Sequence, residues 1–231
     1  APNETNAHPH MSGSVAIVHN GIIENFRELR EELEGKGRVF ESETDSEVIA
    51  QLIDAYMAEG KDPVAAFEEA LKHFHGAFAI AAIFAKDPEL VIGARKGSPL
   101  VLGYGEDEMY LGSDAIALAP LTRDVTYLEE GDWVVLRRNS FDIRNARGER
   151  VNRARVTSAV NDALIERGEY DHFMLKEIHE QPESLARSIM PYINQATQTV
   201  SVPEAAETLF AEADRAVAIA CGTAYYAAFT A

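Results

Sequence analysis

Apolar residues along this 231-residue chain follow two rhythms, which change over near residue 76. SVAIVH (14–19) is short and partly β-branched and runs into Asn20-Gly21, which predicts a buried strand ending at a turn. Ile22, Phe26, Leu29 and Leu33 then recur at helical spacing as far as Gly35-Lys36-Gly37. SETDSEVIAQLIDAYMAEGK repeats the helical rhythm, with Val48, Ile49, Leu52, Ile53, Tyr56 and Met57 on one stripe and Gly60 closing it. Thr44 or Asp45 is the expected N-cap, with Glu47 in the first turn. A third helix is predicted over 63–74.

From Gly76 the runs shorten. GAFAIAAIFAK, ELVIGAR, SPLVLGYG, EMYLGSD and DWVVLRR are apolar or alternating segments separated by turn residues. Five strands in close succession predict an antiparallel sheet, so helices and strands form separate blocks, an α+β arrangement with helices stacked over a sheet. Past Arg150 the strand signals fade. Residues 172–193 show helical spacing at Phe173, Ile178, Leu185 and Ile189, interrupted by Pro182, and TQTVSVPEAAE reads as a joint. AVAIACGT then predicts a strand running into a turn, the way a doubly wound α/β domain begins. No internal repeat or low-complexity segment is present.

Composition narrows the function classes. A net charge of −17, with Lys and Arg scattered, argues against nucleic acid and anionic membrane surfaces as partners. The single cysteine, Cys221, excludes a disulfide framework and fits a reducing cytoplasm. No run reaches transmembrane length. The first residues lack the basic and apolar regions of a signal peptide, and both ends read as cuts through a longer protein.

Four groups of residues can carry chemistry. Asn-Gly is among the commonest turn signals, and spacing alone favours a plain turn at HNG. The same corner can place the Asn20 amide and the Gly21 N–H on one developing oxyanion, since glycine lets a ligand approach the backbone. In SETDSEV a helix cap is sufficient, although an acid at a helix start can also hold a substrate ammonium. His8 and His10, like His73 and His75, sit two apart, which fits zinc only if an acid completes the set; ordinary loop histidines are the better reading, so no metal is expected. At CGT, Cys221 reads as a small buried apolar residue, while Thr223 and nearby N–H groups can hold a phosphate at a helix start. No GxSxG elbow and no phosphate loop of the Walker or dinucleotide type occurs.

In this order NAHPH, HNGIIEN, SETDSEVI, GAFAI, ARKGSPLVLG, LGSDAIAL, YLEEGD, HFMLKEIHEQP and ACGTAYY resemble the glucosamine-6-phosphate synthase family of class II glutamine amidotransferases. The resemblance implies an N-terminal-nucleophile fold of αββα layers over 1–168, a linker and helix over 169–204, and the start of a doubly wound sugar isomerase (SIS) domain over 205–231. It implies that Asn20 and Gly21 form the oxyanion hole, that Gly21 and Asp45 bind glutamine, and that Cys221, Gly222 and Thr223 open the sugar-phosphate site. Glutamine and fructose 6-phosphate are the implied substrates, without cofactor, in a cytoplasmic homodimer. In the family the nucleophile is an N-terminal cysteine with its own α-amino group as base. Residue 1 here is Ala, and the segment that grips the glutamine carboxylate would precede it, so the chain as written is expected to be inactive. At position 224 many relatives carry a hydroxyl residue, where this chain has Ala224. Two other readings stay open: another class II amidotransferase, such as the purine phosphoribosyl enzyme, and a non-catalytic sugar-phosphate-binding or regulatory protein of the same fold.

Overall fold

A computed structural model describes residues 3–159, 167–220 and 222–230. The chain divides into two compact units, Ala1–Glu166 and Arg167–Ala231. The first unit opens with β1 (His10–Ser12), β2 (Val15–Ile23), α1 (Phe26–Gly35), α2 (Ser46–Ala58) and α3 (Pro63–Leu71). Strands then dominate: β3 (Gly76–Phe84), β4 (Asp87–Lys96), β5 (Val101–Tyr104), β6 (Met109–Gly112), β7 (Asp124–Tyr127), β8 (Trp133–Arg137), β9 (Ser140–Arg144) and β10 (Arg155–Thr157). One short helix, α4 (Ala115–Leu118), interrupts them.

These strands build two antiparallel sheets, one of order β1-β2-β3-β4-β8-β9 and one of order β10-β7-β5-β6. The period-2 alternation of each strand sorts its side chains between two cores. Val15, Ile17, Ile80, Ala82, Ile92 and Trp133 face α1, α2 and α3, against Leu29, Leu33, Ile49, Ile53 and Phe67. Ala79, Val134, Leu136 and Ile143 face the other way, onto Leu100 and Leu102 of the second sheet. Leu118 of α4 packs on the outer face of that second sheet, against Val101 and Val125. The layers are therefore helix, sheet, sheet, helix, as the resemblance implied. Close succession of strands predicted one sheet; the chain makes two because its inner strands have apolar residues on both faces.

The second sheet covers only part of the first. Met11, Val18, Ile22 and Ile83 lie on the same face of β1 to β3 and remain exposed. Beside this apolar stripe, β6 has an outer edge that pairs with no strand among the described residues.

Three expectations are corrected. The Asn20-Gly21 pair is not a turn: β2 runs through it, in unbroken register with β3 from Val15↔Phe84 to Ile23↔Gly76. Gly21 absorbs the local distortion at φ +122°, and the chain turns only at Glu24 and Asn25. Asn25 fastens that turn, its side chain donating to the His73 carbonyl and accepting from the His75 N–H. In the second unit, α5 (Phe173–Ile189) continues through Pro182. The proline lacks a donor, but the side chains around it are exposed, so water can take up the freed carbonyl. The strand expected at AVAIAC is absent: residues 215–220 carry no regular structure, and no described strand lies beside them to complete a ladder. That unit otherwise holds a short hairpin of β11 (Ile193–Asn194) and β12 (Thr199–Val200), then α6 (Glu204–Glu212) and α7 (Gly222–Thr230). Among the described residues no helix is long and apolar enough to cross a membrane.

Gly21 has no room for a side chain, because a Cβ built on it would stand 2.1 Å from the Ala77 carbonyl oxygen. Gly21→Ala is expected to lower the unfolding free energy by about 3 kcal/mol in urea titration, from backbone strain plus overpacking. Gly35→Ala, at a helix end with nothing within 4 Å, is expected to be neutral or slightly stabilising. Equal effects at both positions would contradict this reading.

Candidate functional site

β1 pairs with β2 only from Val15 to Ile17, so the rest of β2 has an edge without a strand beside it. Backbone bonds at both ends of the β2–β3 ladder, Ala85 N–H to the Ser14 carbonyl and Glu24 N–H to the His75 carbonyl, fix its phase. Antiparallel alternation then turns the N–H groups of His19, Gly21 and Ile23 away from β3, toward that open edge. His19 N–H donates to His8 Nε2 at 3.4 Å, and Ile23 N–H donates to Asp45 Oδ2 at 2.8 Å. Gly21 N–H, between them, has no acceptor among the described residues.

The start of α2 supplies the second half of the site. Asp45 stands at the N-cap position but does not cap the helix; its carboxylate reaches across to β2 instead. Ser46 Oγ shares a hydrogen bond with His19 Nδ1 at 2.9 Å. The helix is thus tied to β2 on both sides of Gly21, by Ser46 to His19 and by Asp45 to Ile23. Glu47 holds the incoming loop, its buried carboxylate accepting from Ser42 N–H at 2.6 Å and Glu41 N–H at 3.0 Å. Gln51 donates to the same carboxylate at 3.3 Å and to the Val39 carbonyl at 2.8 Å. The loop is further linked through Ser42 Oγ and Thr44 Oγ1, with Thr44 Oγ1 bonded to His10 Nε2 at 3.3 Å.

Asn20 and Asp45 are not on one face. Paired residues of β2 and β3 place His19 and Ile23 on the helix side and Asn20 on the sheet side. There the Asn20 side chain makes no hydrogen bond to a described residue and borders a cavity of about 150 Å³ with Val18, Leu111 and Ser113. Gly21 is the residue between the two faces, with its N–H on the edge that joins them.

Burial depresses His10 and His19 below the ordinary 6.5, only partly opposed by the carboxylates of Glu47 at His10 and of Asp45 at His19, so both rings favour the neutral form. The edge-on contact of the His8 and His10 rings, 5.5 Å between centroids, belongs to the same polar cluster. His19 Nε2 is buried without a hydrogen-bond partner. Among the described residues no group of three or more His, Cys, Asp and Glu is placed to hold a metal ion. His73 instead bonds the Tyr56 hydroxyl at 2.9 Å. Of the CGT residues, Cys221 lies outside the described residues, and Gly222 and Thr223 begin α7.

His19, Ser46 and Glu47 were missed as site-forming residues by sequence reasoning. A readable signal existed for the last two: α2 is buried along Ser46–Ile53, polar positions included, and a buried acid requires donors.

A model of the glutamine amidotransferase domain family matches residues 2–120. A glutamine–fructose-6-phosphate aminotransferase (isomerizing) of Bradyrhizobium diazoefficiens is 52% identical over 230 residues, covering 100% of this chain and 38% of that protein. One of the same name from Zymomonas mobilis is 51% identical over 231 residues, again covering 100% of this chain and 38% of the relative. The chain therefore spans well under half the length of these relatives. Among solved structures, the glutamine phosphoribosylpyrophosphate amidotransferase of B. subtilis matches with a TM-score of 0.54 at 24% identity. The match covers 63% of this chain and 33% of that one, and it concerns the fold alone. An allosteric regulatory enzyme of purine biosynthesis matches similarly, with a TM-score of 0.51 at 25% identity over 61% of this chain and 31% of that one.

Burial raises the Glu47 carboxyl, but the N–H groups of Glu41 and Ser42, with the Ser42 and Gln51 side chains, outweigh it and hold the group below the ordinary 4.5. A depressed carboxyl contributes stability that is present above pH 4.5 and is lost as pH falls through its lower folded value. Glu47→Gln is expected to reduce the unfolding free energy at pH 7 by about 1–3 kcal/mol. The difference between wild type and variant, followed by urea titration from about pH 7 to pH 3, is expected to shrink only below 4.5. A difference independent of pH would show that the ionised carboxylate does not hold this loop.

Proposed function

The chain belongs to the glutamine amidotransferase domain family, and on that basis we propose that it is the glutamine-binding portion of an enzyme that transfers ammonia from glutamine to fructose 6-phosphate, giving glucosamine 6-phosphate and glutamate. The observation that carries the reading is the unclaimed Gly21 N–H, one alternate position along β2 from the Ile23 N–H that anchors Asp45. Two residues of strand span about 6.6 Å. Four single bonds of about 1.5 Å separate the α-nitrogen of glutamine from its amide carbon, a contour of about 6 Å. A glutamine extended along the open edge can therefore set its ammonium on Asp45 while its amide oxygen meets Gly21 N–H.

In the proposed reaction a cysteine thiolate attacks the amide carbon, and the carbonyl electrons move onto oxygen. Gly21 N–H and the Asn20 side-chain amide stabilise that oxyanion, reaching it from the edge and from the sheet-facing side respectively. The C–N bond then breaks as the nitrogen takes a proton, releasing ammonia and leaving a glutamyl thioester. Water hydrolyses the thioester to glutamate. We propose that the thiolate comes from polypeptide outside these 231 residues, as the resemblance implies an N-terminal cysteine and the one cysteine here is Cys221. The exposed stripe of Met11, Val18, Ile22 and Ile83, beside the free edge of β6, supports this: added strands there would be covered on their inner face and would lie against Asn20.

The rest of the parent protein is part of the same proposal. Residues 1–168 belong to the glutaminase portion, 169–204 join it to the sugar part, and 205–231 open an isomerase domain, with Cys221, Gly222 and Thr223 at its sugar-phosphate loop. A cytoplasmic homodimer is proposed for the full-length protein. The greater length of the relatives and the word isomerizing in their names support this division.

The test is kinetic. In the full-length protein, Asn20→Ala is expected to lower kcat for glutamine hydrolysis by about two to three orders of magnitude with little change in KM. Asp45→Asn is expected mainly to raise KM, by about tenfold or more, through loss of a charge-assisted contact. The 231-residue chain alone is expected to release no glutamate. Full activity in both variants would reject the assignment, as would glutamate release by the isolated chain.

A further inference from the structure

We propose that the cavity between α3 and the ends of β4 and β8 is a second binding site, for a small anion with a flat apolar body such as an aryl carboxylate. This proposal does not depend on the glutamine reading. The cavity measures about 620 Å³, within the range of about 300–1,000 Å³ usual for ligand pockets. Its wall joins three separate segments: α3 through Leu71, the sheet ends through Phe78, Lys96 and Trp133, and the turn containing Ala146. The sheet ends and the turn are fastened independently of any ligand. Arg95 bonds the Leu128 carbonyl at 3.0 Å, Arg144 stacks on Trp133 with its guanidinium carbon 4.9 Å from the ring centroid, and Asn145 closes the turn onto the Arg147 and Glu149 N–H groups. The site is preformed, so a ligand pays little to organise it.

Charge pairing around the cavity decides the sign of the ligand. Its three carboxylates are each taken by an arginine: Glu130 by Arg95 at 3.0 Å, Asp132 by Arg153 at 2.8 Å, and Glu68 by Arg144 at 3.8 Å. Lys72 and Arg147 pair with Glu69 and Glu149. The Lys96 ammonium alone meets no partner among the described residues. Arg95 is not available to a ligand in the same way: its guanidinium is bonded to the Leu128 and Gly97 carbonyls and to Glu130. The free Lys96 ammonium beside Leu71, Trp133 and Ala146 therefore matches an anionic oxygen on an apolar body.

Trp133 is the chain's single tryptophan, so its emission reports on this cavity and nowhere else. Benzoate, neutral benzamide and cationic benzamidinium serve as probes of the same shape, titrated into the whole chain with circular dichroism monitoring the fold. Benzoate is expected to change Trp133 emission saturably, half-complete at about 1 mM, and benzamide to need about tenfold more. Benzamidinium is expected to give no saturable change. Lys96→Met, at an exposed position, is expected to leave the dichroism unchanged and to abolish the preference for benzoate over benzamide. The proposal is overturned if benzoate gives no saturable change, if benzamide or benzamidinium binds as well as benzoate, or if the preference survives in Lys96→Met.

Discussion

The start of α2 is held to β2 by a carboxylate on a backbone amide, Asp45 on Ile23 N–H, and most of the site's geometry follows from that bond. A side chain at the N-cap position would ordinarily turn back on its own helix. Here it is spent on a neighbouring strand, and the loop before the helix must be stabilised another way. Glu47 does so from inside the first turn, gathering the Glu41 and Ser42 N–H groups. Ser46 adds the tie to His19, so the helix straddles Gly21. The result is an acid fixed beside a backbone donor without an acceptor among the described residues, the pair on which the proposed glutamine site rests.

That donor is open because of how the sheets end. β1 stops pairing at Ile17, and β3 takes only the N–H groups on its own side, so the outward N–H groups of β2 need other partners. Two find them in His8 and Asp45, and the third belongs to Gly21. At this residue a side chain is excluded by the Ala77 carbonyl, so the strand is bare where a substrate would lie along it. The same truncation of sheet cover leaves Met11, Val18, Ile22 and Ile83 exposed on the opposite face, beside Asn20. The layered cores on either side of the first sheet keep both faces rigid.

Much of the fold was legible in the pattern of residues. The stripe from Val48 to Ile53 marked α2, the glycines after α1 and α2 marked their ends, and the alternating runs after Gly76 marked five of the strands. What escaped were features decided by distant partners. β2 continues through Asn-Gly because β3 supplies a full ladder, and a local turn signal cannot register a strand more than fifty residues away. β7 and β9 are short and lie beside the stronger strands β5 and β8, and β10 is three exposed residues that pair only with β7. AVAIAC has the composition of a buried strand, but no described strand accompanies it. At the site, the resemblance alone nominated Asn20, Gly21 and Asp45 as candidates, and the placement of Asn20 on the other face from Asp45 required the register. His19 and Ser46 looked like an ordinary strand residue and a helix starter until the two elements were docked.

The central claim is that Gly21 N–H is the amide-binding donor and Asp45 the ammonium-binding acid of one glutamine site. It is tested most directly by following backbone amide resonances of the chain while glutamine is added, with glutaramate, which lacks the α-ammonium, as the comparison. The account predicts that the Gly21 resonance moves with both ligands, and that Ile23 and Asp45 move only with glutamine. Resonances of Gly21, Ile23 and Asp45 that stay still at saturating glutamine, or that respond alike to both ligands, would contradict it.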